Sequence, residues 1–527
     1  MQLPGLPLSR TSTRLVSNYL RMGGSFVLSV VVVRLLLEFG SDVYATVALL
    51  GAGTGISAMI EECVQASLTP SLALAYHRGD RRQFLQTYSA AAVVCLAGSL
   101  LSLAAFLVLF CGLSALQIPD HLLTACRWFV VAKAAQTCLV VLLAPSFSMY
   151  LVTERIIAYN VWLFVERLID FIIALALLLG LHDVGPATAV MVFGLATSTL
   201  RIGSVVLAAW VISVGEPACR LRFENLSWAA TRQLLAAIWG NSAVVLAMAL
   251  YVRLDMILLN LAYGLSANLV FSLAAQLTAY LRMLTTGITT GLDVIAARAL
   301  VAKSDDRSTF RDLVSQSTRL HGLIVLPSAW LLFLLADPLV RMWVGSRLDA
   351  HPLALPQVVL LVRILVMGVA ARSLSEGWMR ILAGRGEVNR YSFLLVLGAA
   401  FNPLLVAPLL WFLPEQQGLI AAGLVLSLLQ LVVHQWGIPF AMANSVGIAR
   451  RDLWRPLLRP LLVTLAPLPL LASAVLGDRH DVRTLAAAVG LYLLAYALLA
   501  GVLFTGFHRR FHFFRARSGE FPPGASS

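Results

Sequence analysis

Nine basic side chains lie inside stretches that are otherwise almost wholly apolar: Arg34, Arg127, Lys133, Arg167, Arg201, Arg253, Arg282, Arg363 and Arg372. A charged group at bilayer depth costs about 2.5–3.5 kcal/mol on insertion scales, so one that is retained faces a bundle interior, a watery cavity or a partner. The chemistry such cations offer is anion binding. Arginine suits a diphosphate or a carboxylate, because its planar fork meets two oxygens at once. Arg282 stands in the most polar of these stretches, with Gln276, Thr278, Tyr280, Thr285, Thr286 and Thr289 around it. Arg201 has Ser198, Thr199 and Ser204 for neighbours. The expected anion-binding set is therefore Arg282, Arg253, Arg201 and Lys133, with Arg363, Arg372 and Arg127 as further candidates. Arg127 and Lys133, six residues apart, diverge by about 120° on a helix, and Arg363 and Arg372, nine apart, face opposite sides. Arg34 can snorkel to an interface along its stem.

Acids are fewer in these stretches. Glu166 and Asp170 share a helix face at i,i+4, with Arg167 beside them. They either form an internal ion pair with Arg167 or line a cavity. Arg253 and Asp255 project on different faces and do not pair along the helix. Asp255, Glu166 and Asp170 are the candidates for coupling to a proton or a sodium ion. Glu61, Glu62 and Asp293 sit towards the ends of their stretches, where solvation or pairing with a loop is expected.

Nothing in the chain suggests a metal or a cofactor. The six cysteines form no CxxC pair, no histidine stands at a metal-ligand spacing, and most of the cysteines lie in apolar runs as small hydrophobes. A membrane enzyme of glycan assembly would need an acid/base or metal constellation near a membrane surface, and no such cluster is seen.

The elements that must hold these charges follow from composition. Of 527 residues, 59% are hydrophobic and 12% charged, against about half and a quarter in soluble domains. The solvent for such a surface is lipid, where only helices or closed barrels satisfy the backbone. Barrel strands alternate polar and apolar; runs such as "SFVLSVVVVRLLL" do not. The expected fold is an all-α polytopic membrane protein of about 14 transmembrane helices. The spans fall near 15–37, 43–67, 88–110, 122–144, 156–180, 186–213, 236–258, 265–288, 320–340, 356–379, 391–413, 418–440, 457–476 and 484–506.

The formal net charge of +13 does not indicate nucleic acid, because the basic residues punctuate the apolar runs rather than cluster on one face. On this layout 26 of the 39 Lys and Arg residues fall in loops or at span ends on one side and 4 on the other. That asymmetry puts the rich side, and both termini, in the cytoplasm. The loops on the poor side are short, which leaves no room for an outer catalytic domain.

The chain also repeats itself. "RGDRRQFLQ" follows the second span and "SDDRSTFRD" the eighth; aligning Asp80-Arg81 with Asp306-Arg307 brings Phe84 onto Phe310 at an offset of 226. The expected organisation is a six-helix lobe over 1–215, a cytoplasmic amphipathic linker over 216–235, a second six-helix lobe over 236–450, an extra helix pair over 451–506 and a basic tail over 507–527. In the linker Leu221, Leu226, Trp228 and Leu234 suit an interfacial helix. Six passes per half make the repeat parallel, with its axis along the membrane normal and a central cavity between the lobes.

The stretch "VVVRLLLEFGSDVYATVALLGAGTGISAMIEECVQASLTPSLALAYHRGDRRQF" resembles the opening helices of the polysaccharide-transporter family, the O-antigen-type lipid-linked oligosaccharide flippases of the multidrug/oligosaccharidyl-lipid/polysaccharide exporter superfamily. "VRLDMILLNLAYGLSANLVFSLAAQLTAYL" is similar to that family's seventh and eighth helices. The resemblance extends over almost the whole chain and implies alternating access by a flippase, not an enzyme, in the bacterial cytoplasmic (inner) membrane. It also implies an anionic, undecaprenyl-diphosphate-linked glycan as substrate, and a polysaccharide polymerase and glycosyltransferases as partners beside the membrane lipids. The alternatives are a multidrug or cation exporter of the same superfamily, which would want an acidic, aromatic cavity, a major-facilitator transporter suggested by "RGDRR", and the glycan-assembly enzyme.

Overall fold

A computed structural model describes residues 10–77, 80–180, 184–216, 223–289, 307–348, 354–471 and 482–504, with 292–293 and 295–296 between. Almost all of these residues are helical, and no strand occurs among them. The first half comprises α1 (Arg10–Glu38), α2 (Ser41–His77), α3 (Arg81–Gly112), α4 (Asp120–Val152), α5 (Ile156–Gly180) and α6 (Pro186–Gly215). The second begins with α7 (Trp228–Tyr263), α8 (Leu265–Thr289), α9 (Arg307–Leu334) and the short α10 (Ala336–Val344). It continues with α11 (Ala354–Gly384), α12 (Asn389–Phe412), α13 (Glu415–Val432) and α14 (Ile438–Val446). The chain then runs through α15 (Arg450–Trp454), α16 (Leu458–Leu465) and α17 (Val482–Phe504).

The helix boundaries have local causes. Asp80 caps α3 by accepting a hydrogen bond from Gln83 N at 3.0 Å. Pro186 opens α6, where its missing N–H costs nothing. Gly447, at φ 69°, closes α14 in the left-handed conformation that glycine adopts freely. A π-helical turn over Val433–Gly437 joins α13 to α14, so the expected span at 418–440 belongs to one longer helix over Glu415–Val446.

Nine helices among the described residues are long and apolar enough to cross a membrane, or ten if the two parts of α7, bent by 42°, form one span. The chain is a multi-pass membrane protein. The layout of fourteen spans exceeds what apolar length alone picks out. The long helices outside the nine include α2, α5, which carries Glu166, Arg167 and Asp170, and α8, with Arg282 among its threonines.

Of the expected linker over 216–235, the part from Trp228 is helical. From Trp228 the chain is already the start of α7, with Ser227 accepting from Ala230 N as its cap. Trp228 is 75% exposed, whereas Leu234 is buried. Leu221 lies outside the described residues, as does the tail over 507–527.

Helix α4 packs on α2, α3 and α6, and α1 lies along α5. In the second half α11 packs on α8, α9 and α13, and α12 on α7 and α13. The halves meet mainly through α2 against α7 and α8. At the arginine-poor end one continuous apolar core crosses this junction, joining Val33, Leu36 and Tyr44 to Leu259, Leu269 and Val344. Polar contacts reinforce it. Trp343 Nε1 donates to Val30 O at 3.0 Å, Asn268 Nδ2 to Ala45 O at 3.0 Å, and Gln117 Nε2 to Leu261 O at 2.8 Å. Arg347 forms a salt bridge with Glu38. The repeat positions Phe84 and Phe310 are both buried, near the starts of α3 and α9.

Candidate functional site

A cavity of about 1250 Å³ lies between the two halves. Beneath the seal just described, Leu36, Tyr44 and Val47 line it. Towards the arginine-rich end it reaches Arg380 and Gly384 at the end of α11 and Val388 and Tyr391 at the start of α12.

Its charges come from both walls. The first half contributes Lys133 on α4, Arg167 and Asp170 on α5 and Arg201 on α6. The second contributes Arg253 on α7, Arg282 on α8, Arg372, Glu376 and Arg380 on α11, and Asp293. Seven cations face three acids, which gives a formal excess of +4. The polar lining, with Gln136, Thr137, Gln276, Thr278 and Gln430 among it, suits a hydrated chamber, the setting in which charge at membrane depth is tolerated.

The local partners refine the picture. Arg201 bonds Asp170, both side chains being about one-sixth exposed or less (15% and 16%), while Arg167 lies 3.8 Å from the same carboxylate and is more than half exposed. Asp170 thus serves two arginines. Lys133 Nζ donates to Gln136 Oε1 at 3.0 Å and stands 5.8 Å from the Phe129 ring centroid. Thr285 Oγ1 lies 3.4 Å from Glu376 Oε2. Arg253 crosses the junction, laying its guanidinium against the backbone of α2 at Gly55: a Cβ there would stand 2.6 Å from Cζ. Only glycine lets the fork approach so closely.

Of the candidates named from sequence, Arg282, Arg253, Arg201, Lys133, Arg372 and Asp170 line this cavity. The others do not. Arg363 turns away, donating from Nε to Phe333 O at 3.3 Å with its guanidinium 5.9 Å from that ring's centroid. Arg127 is exposed, beside exposed Trp128, in the third turn of α4 at the arginine-poor end. Glu166 is half-buried on α5, outside the lining. Asp255 is fully buried away from the cavity, where Asn402 Nδ2 donates to its Oδ1 at 2.7 Å, and among the described residues its Oδ2 has no hydrogen-bond partner.

The lining adds Arg167, Arg380, Glu376 and Asp293 to the expected set. Arg372, Glu376 and Arg380 recur every four residues, the spacing that puts side chains on one helix face. That periodicity is legible in the sequence, but Arg380 falls one residue beyond the expected span at 356–379. Behind α11 lie two buried histidines: His434 Nδ1 is 2.7 Å from Ser375 Oγ, and His321 Nδ1 is 2.7 Å from Ser317 O. Among the described residues no group of three or more His, Cys, Asp or Glu could hold a metal ion.

A bundle of long apolar helices thus surrounds a charged central chamber. Residues 167–351 match a family described as "Polysaccharide biosynthesis protein". The fold is similar to that of solved MOP superfamily transporters. An inward-facing multidrug-resistance MATE family transporter aligns with a TM-score of 0.65 at 11% identity, over 80% of this chain and 94% of its own. The lipid II flippase MurJ, in an inward closed conformation, aligns with a TM-score of 0.63 at 12% identity, over 93% and 99%. A MOP superfamily transporter from Pyrococcus furiosus, described as having a binding pocket of reverse polarity, aligns with a TM-score of 0.62 at 12% identity, over 82% and 95%. No curated protein matches the sequence.

Proposed function

We propose that this protein is a flippase that carries a polyprenyl-diphosphate-linked oligosaccharide from the cytoplasmic to the outer leaflet of a bacterial inner membrane, for cell-surface polysaccharide synthesis. The observation that carries the reading is the cationic chamber between the halves, with seven basic groups against three acids. A diphosphate is the anionic part of such a substrate, and paired arginine forks suit it. The match of residues 167–351 to a polysaccharide-biosynthesis family supports a glycan as the remainder.

In this reading the arginine-rich end and both termini are cytoplasmic, the fourteen-span layout stands, and 1–215 and 236–450 rock against each other as lobes. Arg282, Arg253, Arg201, Lys133 and Arg372 hold the head group, with Arg167 and Arg380 at their sides. The seal around Glu38 and Arg347 closes the outer exit. An organic-cation exporter, the other reading within the fold, would meet repulsion in this chamber. Purified protein in vesicles should move a fluorescent polyprenyl-diphosphate glycan between leaflets; export of an organic cation with no movement of the glycan lipid would overturn the proposal.

Coupling to an ion is assigned to Asp255. An ionised carboxylate with no exposure and one amide donor is costly, so it takes up a proton or a monovalent cation. Asp255→Asn keeps the volume and removes the charge. Its expected effect is transport that no longer responds to an imposed proton or sodium gradient, measured in the same vesicles. A gradient response equal to that of the parent would exclude Asp255 from coupling. Asp170, held by two arginines, is the second candidate, and Glu166 the third.

A further inference from the structure

A second, smaller cavity of about 270 Å³ lies at the arginine-rich end, between α9 and the chain that leads from α14 into α16. Its basic lining is Arg311 and Arg319 from α9, with Arg455 and Arg459 from the entry to α16. One acid, Asp452, shares the lining. Asp452 lies 3.4 Å from Arg311 and 3.6 Å from Arg455, so it organises the cluster without neutralising it. The two helices are held close by Gly322, where a Cβ would stand 2.6 Å from Leu457 and 3.1 Å from Pro460. None of these arginines lines the central chamber.

What adjoins the cluster decides the ligand. Along α16, Leu458, Leu462 and Leu465 are 58%, 64% and 39% exposed. They follow i, i+4 and i+7 on one face of α16, with Arg459 beside them and Arg455 in the 3-10 turn just before. Basic groups at the membrane surface thus lead directly onto an apolar stripe that runs into the bilayer. A soluble phosphate would use the first part only. A lipid uses both, its phosphate among the arginines and its acyl chain on the leucines; basic pockets between membrane helices at the cytoplasmic side hold anionic head groups in this way.

We propose that the Arg311–Arg319–Arg455–Arg459 cluster and the leucine face of α16 form a site for a resident anionic phospholipid, separate from the transported substrate. The site ties the segment that follows α14 to α9 through a lipid bridge.

Binding of phosphatidylglycerol to the purified full-length protein, followed by native mass spectrometry, tests this. Phosphatidylcholine and inorganic pyrophosphate serve as the comparison ligands. The parent protein should prefer phosphatidylglycerol. Substituting Arg311→Gln and Arg459→Gln, both exposed, should weaken that binding by about fivefold for each arginine removed. Leu462→Glu should weaken phosphatidylglycerol and leave pyrophosphate unaffected. Arg450→Gln, whose guanidinium sits 4.4 Å from the Phe440 ring centroid outside the cluster, should bind as the parent does. Equal binding of the two lipids, full phosphatidylglycerol binding by the double arginine variant or by Leu462→Glu, or displacement of phosphatidylglycerol by equimolar pyrophosphate would overturn the proposal.

Discussion

Arg253→Ala and Arg282→Ala should each slow translocation of a polyprenyl-diphosphate glycan by about tenfold to a hundredfold, with little change in folding. The magnitude is that of one charge-assisted hydrogen bond, roughly 1.5–3 kcal/mol. Both side chains line the chamber from the second half, and Arg253 reaches across to α2. Arg→Lys at either position keeps the charge and loses the fork, so it should recover only part of the rate. Gly55→Val provides an independent route to the same loss: its side chain would occupy the place of the Arg253 guanidinium, 2.6 Å from where a Cβ begins. Arg363→Ala is the control, because that side chain is directed at Phe333. The measurement is the initial rate in vesicles, normalised to monodisperse protein on size exclusion. Rates in Arg253→Ala and Arg282→Ala equal to that of Arg363→Ala would sink the proposed head-group site.

Bridging the seal at the arginine-poor end should stop transport altogether. Alternating access requires Arg347 to leave Glu38 and Trp343 to release Val30 in each cycle. Glu38→Cys and Arg347→Cys, joined by a reducible bifunctional thiol reagent in a background without the native cysteines, should trap the closed exit. Reductant should then restore turnover. The head group should still bind to the trapped form from the arginine-rich side, since the chamber reaches Arg380 and Tyr391 there. Undiminished transport in the fully bridged protein would mean that this seal does not open.

The sequence carried the cationic character of the chamber because charge in an apolar run is conspicuous wherever it falls. Arg201, Arg253 and Arg282 needed no partner to be noticed. It could not tell a charge that faces the cavity from one that faces a neighbouring helix. Arg363 and Arg372 stand on the same helix nine residues apart, and only packing reveals that one meets Phe333 and the other the chamber. Asp255 presented the same ambiguity: its neighbour Arg253 lines the cavity, yet Asn402, far away in sequence, takes the carboxylate. Contacts between distant segments leave no local period to read. The helical class was legible from composition, whereas α5 and α8 show why an apolar-length criterion stops short. α5 falls outside it through three charges in one window and α8 through its threonines and Arg282, whereas α4, α6 and α11 line the same chamber and still meet it.

The charge is shared evenly between the two walls. Lys133, Arg167 and Arg201 against Asp170 leave +2 on one; Arg253, Arg282, Arg372 and Arg380 against Asp293 and Glu376 leave +2 on the other. Two like-charged surfaces resist being brought together, and a diphosphate placed between them supplies the missing counter-charge. An empty carrier would therefore work against its own repulsion to swing over, while a loaded one is drawn shut by its cargo. For the proposed diphosphate cargo, the electrostatics would act as an interlock that favours movement with freight aboard and discourages idle cycling.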